Sequence, residues 1–415
     1  MKIAILGYGL EGKSVEQYFK DTAEVKIFND FEQIPDTKDF DLVFRTPSVK
    51  FPSPEPTNWT SVTKYFFDHC PAPIIGVTGT KGKGTTCTMI ISLLESLGKT
   101  VHLVGNIGEP SLNYLEKIAP EDIVVYELSS FQLWDLQKSP SVAVVLRIEP
   151  DHLNVHKDFD DYVSAKANIT RHQAPYESVI YFKNNPDSKK IADTSMAEKF
   201  PYPLVKKPEI LKKLLNSLHL VGEHNKENLE AALLATYAYY KPVLKKNRTS
   251  LEVFLAEHFE EFKSAIEKIE PLPHHIEFVR ELNGVKYYDD SFCTVYPALD
   301  AALKSFEGQP LVLIAGGSSK GTDLEPAKRA IFDNKNLIKA VLIGETAKEF
   351  MKNENPEKYL DCKTDFEKAI MAAKDLAETA GKDAVVLLSP CSASFDMFKS
   401  YKDRGNQFKA IVKSL

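Results

Sequence analysis

The residues best placed to do chemistry form one stretch, Gly76-Val77-Thr78-Gly79-Thr80-Lys81-Gly82-Lys83-Gly84-Thr85-Thr86. An apolar run feeds a glycine-rich turn, which feeds a helical pattern. Such a turn lets backbone amides point at phosphate oxygens, and the helix start adds partial positive charge. Gly79, Thr80, Lys81, Gly82, Lys83, Gly84, Thr85 and Thr86 are therefore the candidate ATP-phosphate cradle. Lys83 has the reach for the β- and γ-phosphates, and Thr85 or Thr86 offers a hydroxyl to Mg²⁺. The spacing departs from GxxxxGK[ST], because Gly84 stands where the hydroxyl residue is usual.

Three further stretches follow apolar runs. Val124-Val125-Tyr126 ends in Glu127, and ligands in open parallel sheets bind beyond such strand ends. A carboxylate there, beside the phosphate turn, suits Mg²⁺. Pro150-Asp151-His152-Leu153-Asn154 precedes a helical stretch carrying Tyr162, Ala165 and Lys166. By spacing alone, a histidine at a strand end reads as structural and a helical lysine as solvated surface. Asn225 and Asn228 share one helical face and could meet a base edge; the plainer reading is a helix cap followed by a surface polar residue. In the last third, Asp289-Asp290-Ser291, the stretch 316–323 and the stretch 389–398 each follow an apolar run, which is the layout of a second ligand surface. No Ser-His-Asp or Cys-His arrangement is read from the spacing.

The elements that must position these residues read as α/β. The 415 residues suit several domains rather than one core, and the texture divides them into 1–70, 71–270 and 271–415. Strands are expected at 2–6, 25–28, 41–44, 74–78, 101–104, 122–126, 141–147 and 178–182, then at 276–281, 285–289, 310–315, 339–343 and 384–388. Helices are expected at 14–19, 85–97, 159–171 and 225–240, the last ended by Lys241-Pro242. Strand, Gly7–Gly12 turn, helix and strand make a Rossmann-like start, followed by a proline-rich loop at 52–56. The fold expected is a Rossmann-like N-terminal domain, a central P-loop ATPase domain with a mostly parallel sheet, and a Rossmann-like C-terminal domain. Lys and Arg total 52 against 58 Asp and Glu, a net charge of −6, which argues against nucleic acid as a partner. There is no run of 18 apolar residues, so no membrane span is expected. Five scattered cysteines without a CxxC pair suit reduced thiols in the cytoplasm.

Taken in order, GTKGKGTT, ELSSFQL, EPDHLNVH, YVSAK, GEHNKENLEAA, DDS, GGSSKGTD and LSPCSASFDMFKSYKDRG resemble the Mur ligase family of ATP-dependent amide-forming enzymes along essentially the whole chain. The resemblance is greatest to the branch that adds glutamate to UDP-N-acetylmuramoyl-L-alanine. It implies that Lys83 binds ATP phosphates, that Thr85 and Glu127 hold one Mg²⁺, and that His152 helps hold a second. It implies that Lys166 is a lysine carbamylated by CO₂, so that Lys83, His152 and Lys166 form the catalytic set. Asn225 and Asn228 would contact adenine and Asp290 the ribose. Gly9, Leu10 and Glu11 would cradle the UDP moiety, with Asn29 or Asp30 as the uracil-binding residue. Asn106, Ser129 and Gln132 would face the muramoyl substrate, and Thr294, Lys320, Ser394 and Phe395 the incoming glutamate. A monomer is implied.

The chain departs from the family pattern at Arg147, Glu149 and Asn154. It has His275 where the family usually has Arg, and Phe292 in the stretch where a lysine is usual. D- and L-glutamate both remain open. The competing readings are a folylpolyglutamate-synthase-like ligase, a non-catalytic nucleotide-binding subunit and, from Gly7–Gly12 alone, a NAD-dependent dehydrogenase.

Overall fold

In the computed structural model the chain is α/β throughout and is built on three sheets. The structure describes all residues except 30–36, 48, 50–55, 107–108, 154, 248, 322 and 353–355. Asp30, Asn154 and most of the proline-rich stretch at 52–56 lie outside the described residues. By internal contacts the chain forms two compact units, Met1–His219 with Asn225–Ile269, and Leu220–His224 with Glu270–Leu415.

The first unit carries two sheets. In one, β1 (Lys2–Leu6), β2 (Glu24–Phe28), β3 (Leu42–Arg45) and β4 (Trp59–Ser61) run parallel in the order β2-β1-β3-β4. Four of the five β1 residues are buried, as a strand covered on both faces demands. The following helix starts at Leu10 rather than Ser14. It packs tightly on the turn: a Cβ on Gly12 would lie 2.3 Å from the Gly7 carbonyl oxygen, so only glycine fits there.

The other sheet consists of β5 (Ile74–Thr78), β6 (Val101–Gly105), β7 (Ile123–Glu127), β8 (Val142–Val145), β9 (Ser178–Phe182) and β10 (Glu198–Tyr202). All are parallel, in the order β10-β9-β8-β5-β7-β6. The sheet grows from β5 in one direction through β7 and β6, and in the other through β8, β9 and β10. The turn after β5 therefore opens where strand order reverses, the place where such sheets bind ligands. The helix Glu223–Asn247 continues through Pro242 instead of ending there. Proline removes one intrahelical donor and crowds the carbonyl four residues back, yet this helix runs one further turn.

The second unit holds β11 (Glu277–Leu282), β12 (Val285–Asp289), β13 (Leu311–Gly316), β14 (Leu337–Ile343), β15 (Tyr359–Asp361) and β16 (Val385–Leu388). Their order is β11-β12-β16-β13-β14-β15, with only β11 antiparallel. Asn283 and Gly284 join β11 to β12 with φ of 53° and 80°, the left-handed pair a two-residue hairpin turn needs. Among the described residues no helix is long and apolar enough to cross a membrane.

Candidate active site

β5 delivers the chain to the phosphate turn with all five of its residues buried. Gly82 caps the next helix (Lys83–Ser96) in the left-handed region, at φ 81°. A Cβ there would sit 2.8 Å from the Asn228 amide oxygen, so glycine at this position lets Asn228 close onto the turn. Thr80 anchors the turn from the side: its hydroxyl donates to the Glu149 carbonyl at 3.0 Å and accepts from the Glu149 amide at 2.8 Å. The Thr86 hydroxyl donates to the Gly82 carbonyl at 2.9 Å. That bond occupies it within its own helix and leaves Thr85 as the hydroxyl suited to a metal ion. Lys81 is exposed.

Two lysines meet beneath this turn. Lys83 Nζ donates to the carbonyls of Gly79 and Thr80, both at 3.2 Å. Lys166 is 1% exposed and donates to Thr78 Oγ1 at 3.2 Å and the Gly79 carbonyl at 3.0 Å. Its ammonium lies 4.8 Å from the Tyr162 ring centre. Burial drives the Lys166 amine well below the usual lysine range, and the Lys83 charge pushes the same way against Asp151 and Glu127. Burial also lowers Lys83, opposed chiefly by Glu127. Glu127, at the end of β7, is 2% exposed. His152 has φ 55° and lies 3.6 Å from Asp151; burial lowers its pKa, and Lys166 and Lys83 add to the effect. Lys83, Glu127, Asp151, His152 and Lys166 thus share one electrostatic neighbourhood. Asp151 stands in the EPDHLNVH motif, and its spacing alone marks no role for it.

One arrangement contradicts that reading. His156 accepts or donates at 2.9 Å to Ser130 Oγ through Nε2 and at 3.0 Å to Asp161 through Nδ1. This is a Ser-His-Asp line, which the sequence spacing did not reveal because its members are spread over 32 residue positions, on two helices and in a loop between them. His156 and Ser130 are 3% and 2% exposed, so the line ties the short helix Ser130–Leu133 to the start of the helix Phe159–Arg171 and presents no nucleophile.

The same short helix reaches the first sheet. Ser129 caps it in a reciprocal capping box with Gln132, and Gln132 Nε2 donates to Glu11 at 2.9 Å. Burial pushes the Glu11 carboxyl up to about 6. Just beyond, Asp135 pairs at 2.8 Å with Arg45 of β3, both side chains at most 1% exposed, and accepts from Ser61 of β4 at 3.1 Å. Arg45, Ser61 and Asp135 were missed, since no local pattern marks a buried ion pair between residues 90 positions apart. Gly9 and Leu10 are exposed at the first glycine turn, and Asn106 is exposed at the end of β6. Asn225 opens the helix that carries Asn228.

In the second unit, Thr294 and Lys320 line one small pocket together with Ser318, Thr346 and Ser392. Ser394 is buried and Phe395 is 75% exposed; the Phe395 amide donates to Ser318 Oγ at 3.1 Å. Asp290 is buried, and its carboxylate accepts from Ser389 Oγ at 2.7 Å and from the Ile276 amide at 3.3 Å. His275 and Phe292, two of the departures from the family pattern, stack on each other at 4.2 Å and 26°. Among the described residues one His/acid group has metal-ligand spacing, His274, Glu277 and Asp289. It is already satisfied as an ion-pair network: His274 meets Asp289 at 2.7 Å, and Lys409 holds both Glu277 oxygens at 3.0 and 2.9 Å.

A glycine-rich turn at a strand end, a lysine beneath it and a buried carboxylate at the neighbouring strand end thus lie together on one parallel sheet. Residues 77–236 match the family model described as the Mur ligase middle domain. A UDP-N-acetylmuramoylalanine–D-glutamate ligase from Acetivibrio thermocellus is 34% identical over 473 residues, covering 100% of this chain and 96% of the relative. The chain belongs to the Mur ligase family. A solved structure of MurF from Thermotoga maritima in complex with ADP aligns with a TM-score of 0.61 at 16% identity, covering 99% of this chain and 95% of that one. Folylpolyglutamate synthase from Mycobacterium tuberculosis, complexed with ADP and AMPPCP, aligns with the same TM-score at 14% identity over 84% of this chain and 94% of that chain. These two structural likenesses share the fold alone.

Proposed function

We propose that this protein is an ATP-dependent ligase that joins glutamate, D-glutamate before L-glutamate, to the alanyl carboxylate of UDP-N-acetylmuramoyl-L-alanine. The setting is cytoplasmic peptidoglycan precursor synthesis. The observation that carries the reading is the convergence of Lys83, Lys166 and Glu127 on the turn after β5. The full-length likeness to a ligase of that name supports the substrates. The folate-type rival shares the fold at 14% identity in one solved structure. We assign the chain three parts, 1–70, 71–270 and 271–415.

The cradle fits ATP, because Gly82 can carry no side chain without meeting Asn228. Thr85 and Glu127 offer the hard oxygen donors that Mg²⁺ prefers, and His152 would add a single nitrogen to an ion that needs few protein ligands. When bound, the ion would screen charge on the phosphates. Lys83 neutralises the phosphoryl group in transfer, which is the main catalytic task in such chemistry. A carboxylate oxygen of the substrate attacks the γ-phosphorus, the bond to the β-phosphate oxygen breaks, and ADP leaves. The amine of glutamate then attacks the acyl carbon, loses a proton and expels phosphate. Burial disfavours the charged form of Lys166, and the free amine has the electron pair needed to condense with CO₂; the nitrogen loses one proton and the side chain becomes an oxygen ligand. Asn225, Asn228 and Asp290 would hold the nucleoside, Gly9, Leu10 and Glu11 the UDP, and Asn106, Ser129 and Gln132 the muramoyl part. Thr294, Lys320, Ser394 and Phe395 would hold glutamate. The protein acts as a monomer.

The test is phosphate release from ATP with UDP-N-acetylmuramoyl-L-alanine and either D- or L-glutamate. Release with D-glutamate alone is expected. Release with L-glutamate alone would reverse the stereochemical assignment, and release with neither would overturn the reading.

A further inference from the structure

Arg147 follows β8 and has no role in the activity outlined above. Its backbone is pinned on the phosphate turn, where its carbonyl accepts from the Thr80 amide at 2.9 Å. The next residue is held by Asn185, which accepts from the Ile148 amide at 3.3 Å and donates to its carbonyl at 2.9 Å. The side chain is equally directed. The guanidinium lies 4.7 Å over the ring of Phe182, itself 3% exposed. Nη2 lies 3.5 Å from Glu227 Oε2. Glu227 stands between Asn225 and Asn228 in the helix whose Asn228 closes on Gly82. Arg147 is thus fixed by three separate elements between the phosphate turn and the helix proposed to meet adenine.

We propose that Arg147 is a nucleotide-binding residue whose guanidinium plane, supported by Phe182, stacks on the purine base. The inference rests on the ATP reading above and extends it. A guanidinium is planar and weakly hydrated, so it stacks on aromatic surfaces in a way an ammonium does not. Its side chain is 51% exposed, which leaves surface for a ligand. Glu227 at 3.5 Å offsets part of its charge, and this favours a base over a phosphate as the partner. Contact with an adenine face would fix the base against Asn225 and Asn228, which read its edge.

The experiment is titration calorimetry of the full chain with Mg·ADP and separately with Mg·pyrophosphate. The proteins are the unsubstituted chain, Arg147→Ala and Arg147→Lys, with thermal unfolding run on each. Both variants are expected to bind Mg·ADP about tenfold more weakly, the scale of one stacking contact. Mg·pyrophosphate affinity is expected to stay unchanged. Full Mg·ADP affinity in Arg147→Lys would show that charge suffices and overturn the proposal. Equal losses for pyrophosphate and ADP would overturn it too, by making Arg147 a phosphate ligand. Failure of the unsubstituted protein to bind Mg·ADP would instead remove the underlying ATP reading.

Discussion

Lys166 in the first unit and Arg404 in the second are both buried cations, 1% and 0% exposed, and neither hydrogen-bonds a carboxylate. They differ in how completely they are met. Arg404 donates through all three nitrogens, to Ser291 Oγ and to the carbonyls of Ser291, Ser392 and Ala393, at 2.9 to 3.2 Å. Lys166 makes two hydrogen bonds for three protons. Burial lowers Arg404 only to about 10, still charged at neutral pH, whereas it drives Lys166 well below the usual lysine range. A guanidinium saturated by fixed carbonyls is a pin. An ammonium with an incomplete shell gives up its proton and becomes a reagent.

That contrast can be broken most directly at Lys166. Lys166→Met should lower ligase turnover by about 10³-fold, of the order expected when one group in a preorganised charge-stabilising set is lost. The same change should raise stability in denaturant by roughly 1–3 kcal/mol at pH 7, since an apolar residue replaces a poorly met buried cation. The sign follows from linkage. A depressed folded pKa penalises the native state below the unfolded value of about 10.5, so the gain should fade as pH climbs towards it. Unchanged turnover would make Lys166 structural like Arg404.

The converse test is Arg404→Met, which removes the guanidinium donors from the carbonyls of Ser291, Ser392 and Ala393, the last of which keeps the Ser318 amide. It should cost roughly 3–5 kcal/mol in urea unfolding of the second unit. A loss under about 1 kcal/mol would show that those carbonyls find other donors and that Arg404 is no pin.

The smallest effect is expected at Glu11, an anion raised by burial rather than a cation lowered by it. Its folded pKa of about 6 exceeds the ordinary 4.5, so ionisation above that value weighs on the native state. Glu11→Gln should therefore gain about 1 kcal/mol at pH 8 and nothing below pH 4.5. A gain independent of pH would show that burial of the charge is not its cause.

Much of this architecture was legible in the chain itself. The helix Phe159–Arg171 and strand β9 fall where the apolar pattern puts them, and β5, β7, β8, β13 and β16 are buried along their whole length and mostly apolar. The strands the pattern missed are β4, β10 and β15, and each is the edge of its sheet. Edge strands need bury only part of their surface. β10, Glu-Lys-Phe-Pro-Tyr, even carries a proline, which an edge tolerates and a central strand does not. The same holds at the site. Lys83 and Glu127 follow from the order of strand, turn and helix. The bond of Lys166 to the turn, the Arg45–Asp135 pair and the Arg147–Phe182 stack depend on contacts between distant segments, which no local spacing encodes.

The Ser130–His156–Asp161 line shows how little connectivity alone says about reactivity. A template search on pairwise distances would score it beside hydrolases. An attacking oxygen also needs an open trajectory to an electrophile and a pocket to receive the developing anion, and here packed side chains close the approach. What looks like a charge relay serves as a latch, and a mutation that opened a channel to Ser130 would be the way to find out how much latent hydrolytic chemistry such a latch conceals.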